Sequence, residues 1–294
     1  MSNKTSAQAF EGSRKQVQEQ ENRLKMRMSK IKHKIAIISG KGGVGKSTVT
    51  VNIAAAFAAH GHVERVGILD ADIHGPSVPK IIGLSGQRLQ SGPPGVFPAS
   101  GFLGIKVISM DFLLPDENAP VIWRGPLKMT AIRQFMSDIV WGDLDLLLID
   151  LPPGTGDEPL SVAQLLPDID GVIIVTIPSE VSQIVVKKAV TFARKLRMPI
   201  IGIVENMSGF LCPECGAKID IFSSGGGKKI AEESKVPFLG SIPIDQRVCE
   251  DSDRGVPFIT EHSNTAASKA FMKIVKKIEE LLKTKEEQGG SQDK

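Results

Sequence analysis

The chain has 294 residues, 41% hydrophobic and 23% charged, with a formal net charge of +3. That composition is ordinary for a soluble globular protein and excludes global disorder. No run approaches the ~18 consecutive apolar residues of a membrane span, and three cysteines are too few for a disulfide scaffold.

The opening residues, MSNKTSAQAFEGSRKQ, lack the apolar stretch of a secretory signal. They also carry Glu11 and little of the amphipathic pattern of a transit peptide. A cytoplasmic, reducing location is expected. The first 34 residues hold nine Lys/Arg against three Glu, so the rest of the chain is mildly acidic. Bulk charge therefore excludes a nucleic-acid-binding domain, and no nucleic-acid or membrane partner is expected.

Residues 1–33 are polar, with no sustained apolar face, and read as a flexible or frayed-helical basic arm. Regular structure is expected from Lys34–Ser39 (KIAIIS), an apolar β-branched run that suits a buried strand. A Gly-rich turn and a helix from Lys46 to about His60 follow. Arg65–Asp70, Ile105–Ser109, Leu144–Asp150, Gly171–Ile177, Pro199–Glu205 and Pro237–Ile242 read as further strands. Pro126–Val140 and Glu180–Leu196 have helical patterns. A last helix is expected from an N-cap at Ser263 to about Lys283. Its apolar stripe is Ala267, Phe271, Ile274, Ile278, Leu281 and Leu282. The predicted organisation is one globular domain over 34–283 and a disordered polar tail over 284–294. Near-continuous apolar strands alternating with helices imply an α/β fold, a mostly parallel sheet covered by helices on both faces in three layers. In such sheets ligands bind beyond the carboxyl ends of the strands.

The loop after the first strand is Gly40-Lys41-Gly42-Gly43-Val44-Gly45-Lys46-Ser47. It matches G-x-x-x-x-G-K-[ST] between a predicted strand and a predicted helix, the context of a P-loop. Glycines let the backbone curl its N–H groups toward phosphate oxygens, and the helix N-terminus adds partial positive charge. Lys46 is placed to reach the β- and γ-phosphates of ATP, Ser47 to ligate Mg²⁺, and Thr48 to contact the α-phosphate. Lys41 is a second lysine that an ordinary P-loop does not need. It is placed to reach a phosphate on a neighbouring subunit. This K-G-G-V-G-K-[ST] form resembles the deviant P-loop of the ParA/MinD superfamily of dimerising ATPases.

That resemblance extends to the loops behind other strands. In Asp70-Ala71-Asp72, it implies that Asp72 positions the attacking water and Asp70 belongs to the outer Mg²⁺ shell. Asp150, acidic at the tip of an apolar strand, is a Walker B signature and is expected to hold Mg²⁺ through water. The Pro-Pro-Gly-Thr-Gly loop after it reads as switch II, with Gly154 offering an N–H to the γ-phosphate. Asn206 carries both a donor and an acceptor, enough to read a purine edge, and the resemblance implies adenine. By the same analogy Pro243 and Asp245 occupy the other side of the base pocket. Asp245 reads equally well as a turn residue.

Cys212-Pro213-Glu214-Cys215-Gly216 puts two thiolates within reach of one metal. Two ligands do not complete a tetrahedral zinc or iron–sulfur site, which takes about four. No second pair exists, the five histidines are scattered, and Cys249 reads as a small core residue. A two-fold homodimer gives four thiolates at a shared axis, which suits a bridging [4Fe–4S] cluster. GKGGVGKS, DADIHGPS, LLIDLPPGTGD, NMSGFLCPECG and IPID occur in this order over about residues 34–282. Together they resemble the Mrp-type iron–sulfur cluster carrier ATPases. The resemblance implies slow Mg²⁺-dependent ATP hydrolysis, a labile cluster received from a donor or scaffold, and transfer to apo iron–sulfur proteins. Residues 1–33 contain no cysteine and are too few for an extra domain, so the short form without an N-terminal cluster is implied. Two other readings compete. One is a positioning ATPase of the MinD/ParA kind, with the last helix seeking a membrane. The other is a Zn²⁺-clamped dimer that binds nucleotide without significant hydrolysis.

Overall fold

The computed structural model describes residues 2–72, 75–113, 133, 136–166, 168–212, 215–221 and 223–289. In chain order these form α1 (Ser2–Met28), β1 (Ile31–Ser39), α2 (Lys46–Ala59), β2 (Val66–Asp70), α3 (Val78–Ile81), β3 (Gln90–Gly92), β4 (Gly95–Phe97), β5 (Ala99–Ser100), β6 (Lys106–Ser109) and β7 (Leu144–Asp150). There follow α4 (Asp157–Leu165), β8 (Gly171–Thr176), α5 (Glu180–Lys195), β9 (Ile200–Glu205), β10 (Phe210–Leu211), β11 (Lys218–Ile219), α6 (Gly226–Ser234), β12 (Phe238–Ser241), α7 (Gln246–Arg254), α8 (Phe258–Glu261) and α9 (Ala266–Gly289).

The central sheet has eight strands in the order β12-β9-β8-β1-β7-β2-β6-β5. Every pairing in it is parallel except the short edge strand β5 against β6. Two small antiparallel hairpins, β3–β4 and β10–β11, stand outside it.

Alternation along the strands explains the three layers. Ile35, Ile37, Leu146, Leu148, Ile173 and Val175 feed one core, with α2 and the stripe Ala267, Phe271, Ile274, Ile278 and Leu282 of α9. Ala36, Ile38, Leu147, Ile149, Val172 and Ile174 feed the other, with Val186, Ala189, Val190 and Ala193 of α5 and Val162 of α4. A strand buried on both faces must be apolar at every position. That is why these segments read as runs rather than as alternating patterns.

The element ends differ from the sequence expectation where packing reaches further than local pattern. The sequence suggests an arm up to residue 33. In the structure α1 occupies Ser2–Met28 and β1 begins at Ile31, because Leu24, Met28 and Ile31 bury themselves in the second core. The last helix starts later and ends later than expected. Its cap is Thr265, whose hydroxyl accepts from the Ser268 N–H at 3.2 Å, rather than Ser263. It continues through residues 284–289, part of the segment expected as tail. Most of the helix expected over Pro126–Val140 lies outside the described residues. Of its end, Met136 and Ile139 are buried, and Ile139 bridges to Val96. Among the described residues no helix is long and apolar enough to cross a membrane.

Candidate functional site

Parallel strands put their carboxyl ends on one edge, and register decides which residues meet there. Asp150 of β7 lies opposite Ile37 of β1 and opposite Asp70 of β2. The two carboxylates therefore end adjacent strands side by side, next to the loop that follows β1. That loop, residues 40–45, delivers the chain into α2 with Gly43 and Gly45 at φ of 75° and 77°. A Cβ on Gly45 would lie 2.3 Å from Nδ2 of Asn206, so only glycine permits both the turn and the close approach.

The side chains above this edge form a buried charged cluster. Lys46 is 7% exposed, with Nζ 2.7 Å from Oδ1 of Asp150. The Ser47 hydroxyl donates to Oδ2 of the same carboxylate at 2.5 Å, and Oγ1 of Thr50 lies 3.0 Å from Oδ1. Asp70 is fully buried and accepts from Ser109 Oγ, Val78 N–H and Asp72 N–H at 3.2, 3.3 and 3.2 Å. Burial, and then the neighbouring Asp150 charge, push the Asp70 carboxyl well above the usual carboxylate range, with Lys46 pulling the other way. The Lys46 ammonium has its ion pair but no well-aligned hydrogen bond. A buried cation with unused donors beside a curled glycine loop fits a phosphate. Hard oxygen donors from Ser47, Asp150 and Asp70, the two carboxylates ending adjacent strands, fit a divalent cation such as Mg²⁺.

The remaining sequence-predicted groups surround this cluster. Asp72 follows β2 and accepts from the Gly75 N–H at 3.1 Å. Gly154 has φ +94° and donates its N–H to Ser39 O at 2.9 Å, tying the loop after β7 to the end of β1. Lys41 is half-buried in the glycine loop. Asn206 donates from Nδ2 to Val44 O at 3.0 Å. It also lines a cavity of about 340 Å³ with Gly45, Thr48, Pro243 and Asp245, so the expected base-pocket residues share one cleft. Its apolar walls, Met207, Ile242, Ile244 and Val248, were not legible in sequence because they are scattered over three segments. Asp245 both lines the cavity and caps α7, accepting from the N–H of Arg247 at 3.2 Å. Burial works to raise its pKa, but the Arg247 guanidinium at 2.8 and 2.7 Å outweighs that and holds it below the usual range. Cys249 corrects an expectation. It is exposed and lines the cavity beside Asn206 rather than filling the core, because the α7 face that carries Val248 and Ser252 turns toward that cleft.

The cysteines sit on the β10–β11 hairpin. Cys212 N–H donates to Ala217 O and Gly216 N–H to Cys212 O, both at 2.9 Å, with Gly216 at φ +70° closing the turn. Cys212 is half-buried and Cys215 exposed. The hairpin hangs from the wall of the base cavity: Ser208 N–H donates to Ile242 O at 2.9 Å and Ile244 N–H to Gly209 O at 2.8 Å. Cys212 borders a second cavity of about 380 Å³ whose lining includes Pro243, Ile244, Asp245 and Gln246. Those four residues are therefore a partition between the base cavity and the thiol.

The ParA family described as NUBPL iron-transfer P-loop NTPases matches residues 30–279. An iron–sulfur cluster carrier protein of Methanocaldococcus jannaschii is 55% identical over 274 residues, 93% of each chain. One of Saccharolobus solfataricus is 51% identical, covering 92% of this chain and 90% of its own. Among solved structures, a nucleotide-binding protein of Archaeoglobus fulgidus in complex with ADP, with Co found, superposes at a TM-score of 0.72 with 43% identity, over 81% of this chain and 92% of that one. The MinD cell division protein of Aquifex aeolicus, at 22% identity, 84% and 96% coverage and a TM-score of 0.59, shares the fold. The chain belongs to the ParA family of P-loop NTPases, in its NUBPL iron-transfer group.

Proposed function

We propose that this protein is an ATP-dependent iron–sulfur cluster carrier. Two subunits meet about a two-fold axis, and Cys212 and Cys215 of each supply four thiolates to a [4Fe–4S] cluster that is cargo. The cluster arrives from a donor or scaffold protein and leaves to apo iron–sulfur proteins in the cytoplasm. The observation that carries this reading is the placement of a C-x-x-C hairpin on the wall of the Asn206 cavity of a P-loop NTPase. A positioning ATPase has no use for that thiol pair, and the apolar stripe of α9 is spent on the core rather than left for a membrane.

ATP binds with its base in the cavity of Asn206, Pro243 and Asp245 and its phosphates over the 40–48 loop. Lys46 exchanges part of its contact with Asp150 for the phosphates. Ser47 and Asp150, with Asp70 behind, hold Mg²⁺, which neutralises phosphate charge when bound. Asp72 orients the attacking water, and Lys41 reaches the phosphates of the opposite subunit. With a single lysine per site supplied in trans, turnover is slow and tied to assembly.

Anaerobic reconstitution with iron and sulfide tests the reading. The wild type turns brown and holds about four iron and four sulfide per dimer. Cys212→Ala and Cys215→Ala stay colourless, and Cys249→Ala stays brown. A colourless wild type that retains zinc makes the dimer a zinc clamp instead. Loss of colour in Cys249→Ala alone overturns the ligand assignment.

A further inference from the structure

The chain leaves the central sheet at the end of β9 and rejoins its helical layer at Gly226, the start of α6. The excursion between them carries Asn206 at its root and both cysteines further out. Glu205, the last residue of β9, is wholly buried and holds both ends of that excursion. On the outgoing side, Ser208 Oγ donates to its Oε1 at 2.5 Å. On the returning side, Gly225 N–H donates to Oε1 at 3.1 Å and Gly227 N–H donates to Oε2. Ser241 Oγ of β12 adds a fourth donor at 3.3 Å, beside the segment that walls the base cavity. The approach is close enough that a Cβ on Gly227 would lie 2.9 Å from Cβ of Glu205, and one on Gly226 would lie 2.3 Å from Pro178 O. Glycines at 226 and 227 therefore let the start of α6 close over the carboxylate.

Nothing in the nucleotide chemistry uses this side chain. Burying a carboxylate at the end of a central strand is costly unless donors gather around it. Here the donors come from both ends of the cysteine-bearing excursion and from the strand next to it. We propose that Glu205 is a positioning residue for metal capture. Its acceptor-only oxygens pin the root of the hairpin, so that Cys212 and Cys215 are held ready against the Pro243–Gln246 partition rather than ordered anew by each metal. This rests on the carrier reading above, in which those two thiols are the ligands.

The test uses the full-length reduced protein and Co²⁺ alone as the probe, followed by the thiolate-to-cobalt charge-transfer absorption. ATP affinity is read in parallel with a fluorescent analogue. In Glu205→Gln an amide N–H₂ must face N–H and O–H donors. We expect Co²⁺ affinity to fall about tenfold or more, in the range that loss of an orienting partner costs a metal site. ATP affinity should fall clearly less, because none of the P-loop contacts involves Glu205 and Asn206 keeps its own bonds to Val44 O and Thr176 O. Ser208→Ala removes only the outgoing donor. It should weaken Co²⁺ about threefold, and it decides the matter if Glu205→Gln does not fold. Wild-type Co²⁺ affinity in either variant overturns the proposal. So does an equal fall of Co²⁺ and ATP affinity in Glu205→Gln, which would make Glu205 a residue of general stability. If the wild type itself gives no cobalt band, or Cys212→Ala/Cys215→Ala gives the same one, the carrier reading has failed instead.

Discussion

Asp150 is the residue on which the nucleotide site turns. Its carboxylate is wholly buried and contacts Lys46, Ser47 and Thr50 at once, with Asp70 in register beside it. The Asp150 charge and burial together push the Asp70 carboxyl up, and a divalent cation beside these oxygens would favour its ionised form. Gly45 is as constrained by sterics as Asp150 is by charge. Its left-handed φ costs a substituted residue about 1–2 kcal/mol, and a methyl group there would strike the Asn206 amide. Gly45→Ala is expected to lower the melting temperature by several degrees and to weaken ATP binding more than its stability loss explains, since Asn206 must retreat from the base. Parallel thermal melts and titration with a fluorescent ATP analogue check this. Asp72 behaves differently. It is half-buried past the end of β2 and its proposed role is in hydrolysis rather than binding, so Asp72→Ala should bind ATP within a few-fold of wild type while turnover falls about a hundredfold or more. Retained turnover in steady-state phosphate release would remove it from the mechanism.

Two elements pack as they do because of residues outside the chemistry. At the edge of the sheet opposite the nucleotide, His33 of β1 lies against the C-terminal part of α9, with Nε2 3.1 Å from Oε1 of Glu286. Burial holds its pKa below the ordinary histidine value, outweighing the pull of Asp170 and Glu286 and aided by Lys32 and Lys34. A histidine with a depressed folded pKa is kept neutral by the fold. The unfolded chain takes up the proton first, so its contribution is complete above about pH 6.5 and is lost as pH falls toward the folded value. Thermal melts from pH 7.5 to 5 should show this decline, and His33→Gln should flatten it. A decline of equal slope in the variant would assign it to other groups. The β10–β11 hairpin is the other such element. Two residues per strand cannot stand alone. It is supported by its bonds to Ile242 and Ile244 and by Glu205 at its root. The C-x-x-C motif was visible in the sequence from spacing alone. The carboxylate under it was not, because its donors come from positions 208, 225, 227 and 241.

At the scale of the molecule, the proposal that Lys41 acts across a dimer makes a quantitative prediction. Lys41→Ala and Asp72→Ala should each be nearly inactive. When the two are mixed and allowed to exchange subunits, about half the dimers are mixed. Each mixed dimer has one site with its own Asp72 and a partner's Lys41. Turnover should recover to about a quarter of wild type. No recovery on mixing, with subunit exchange verified by differently tagged chains, means that Lys41 acts within its own subunit. The architecture itself follows from local signals that agree. Runs such as LDLLLID and GVIIVT are apolar at nearly every position, which only a doubly covered parallel strand requires. The stripe on α9 has the period of a helix lying on that sheet. The P-loop was readable for the same reason, since all its parts are contiguous. What needed the folded chain were meetings between distant segments: the side-by-side carboxylates of Asp70 and Asp150, the exposure of Cys249 to the base cavity, the burial of Leu24 and Met28, and the clamp of Glu205. A pattern of residues reports how each element is buried. Which side chains end within hydrogen-bond reach depends on strand register and crossover, and those are settled only when the whole sheet has assembled.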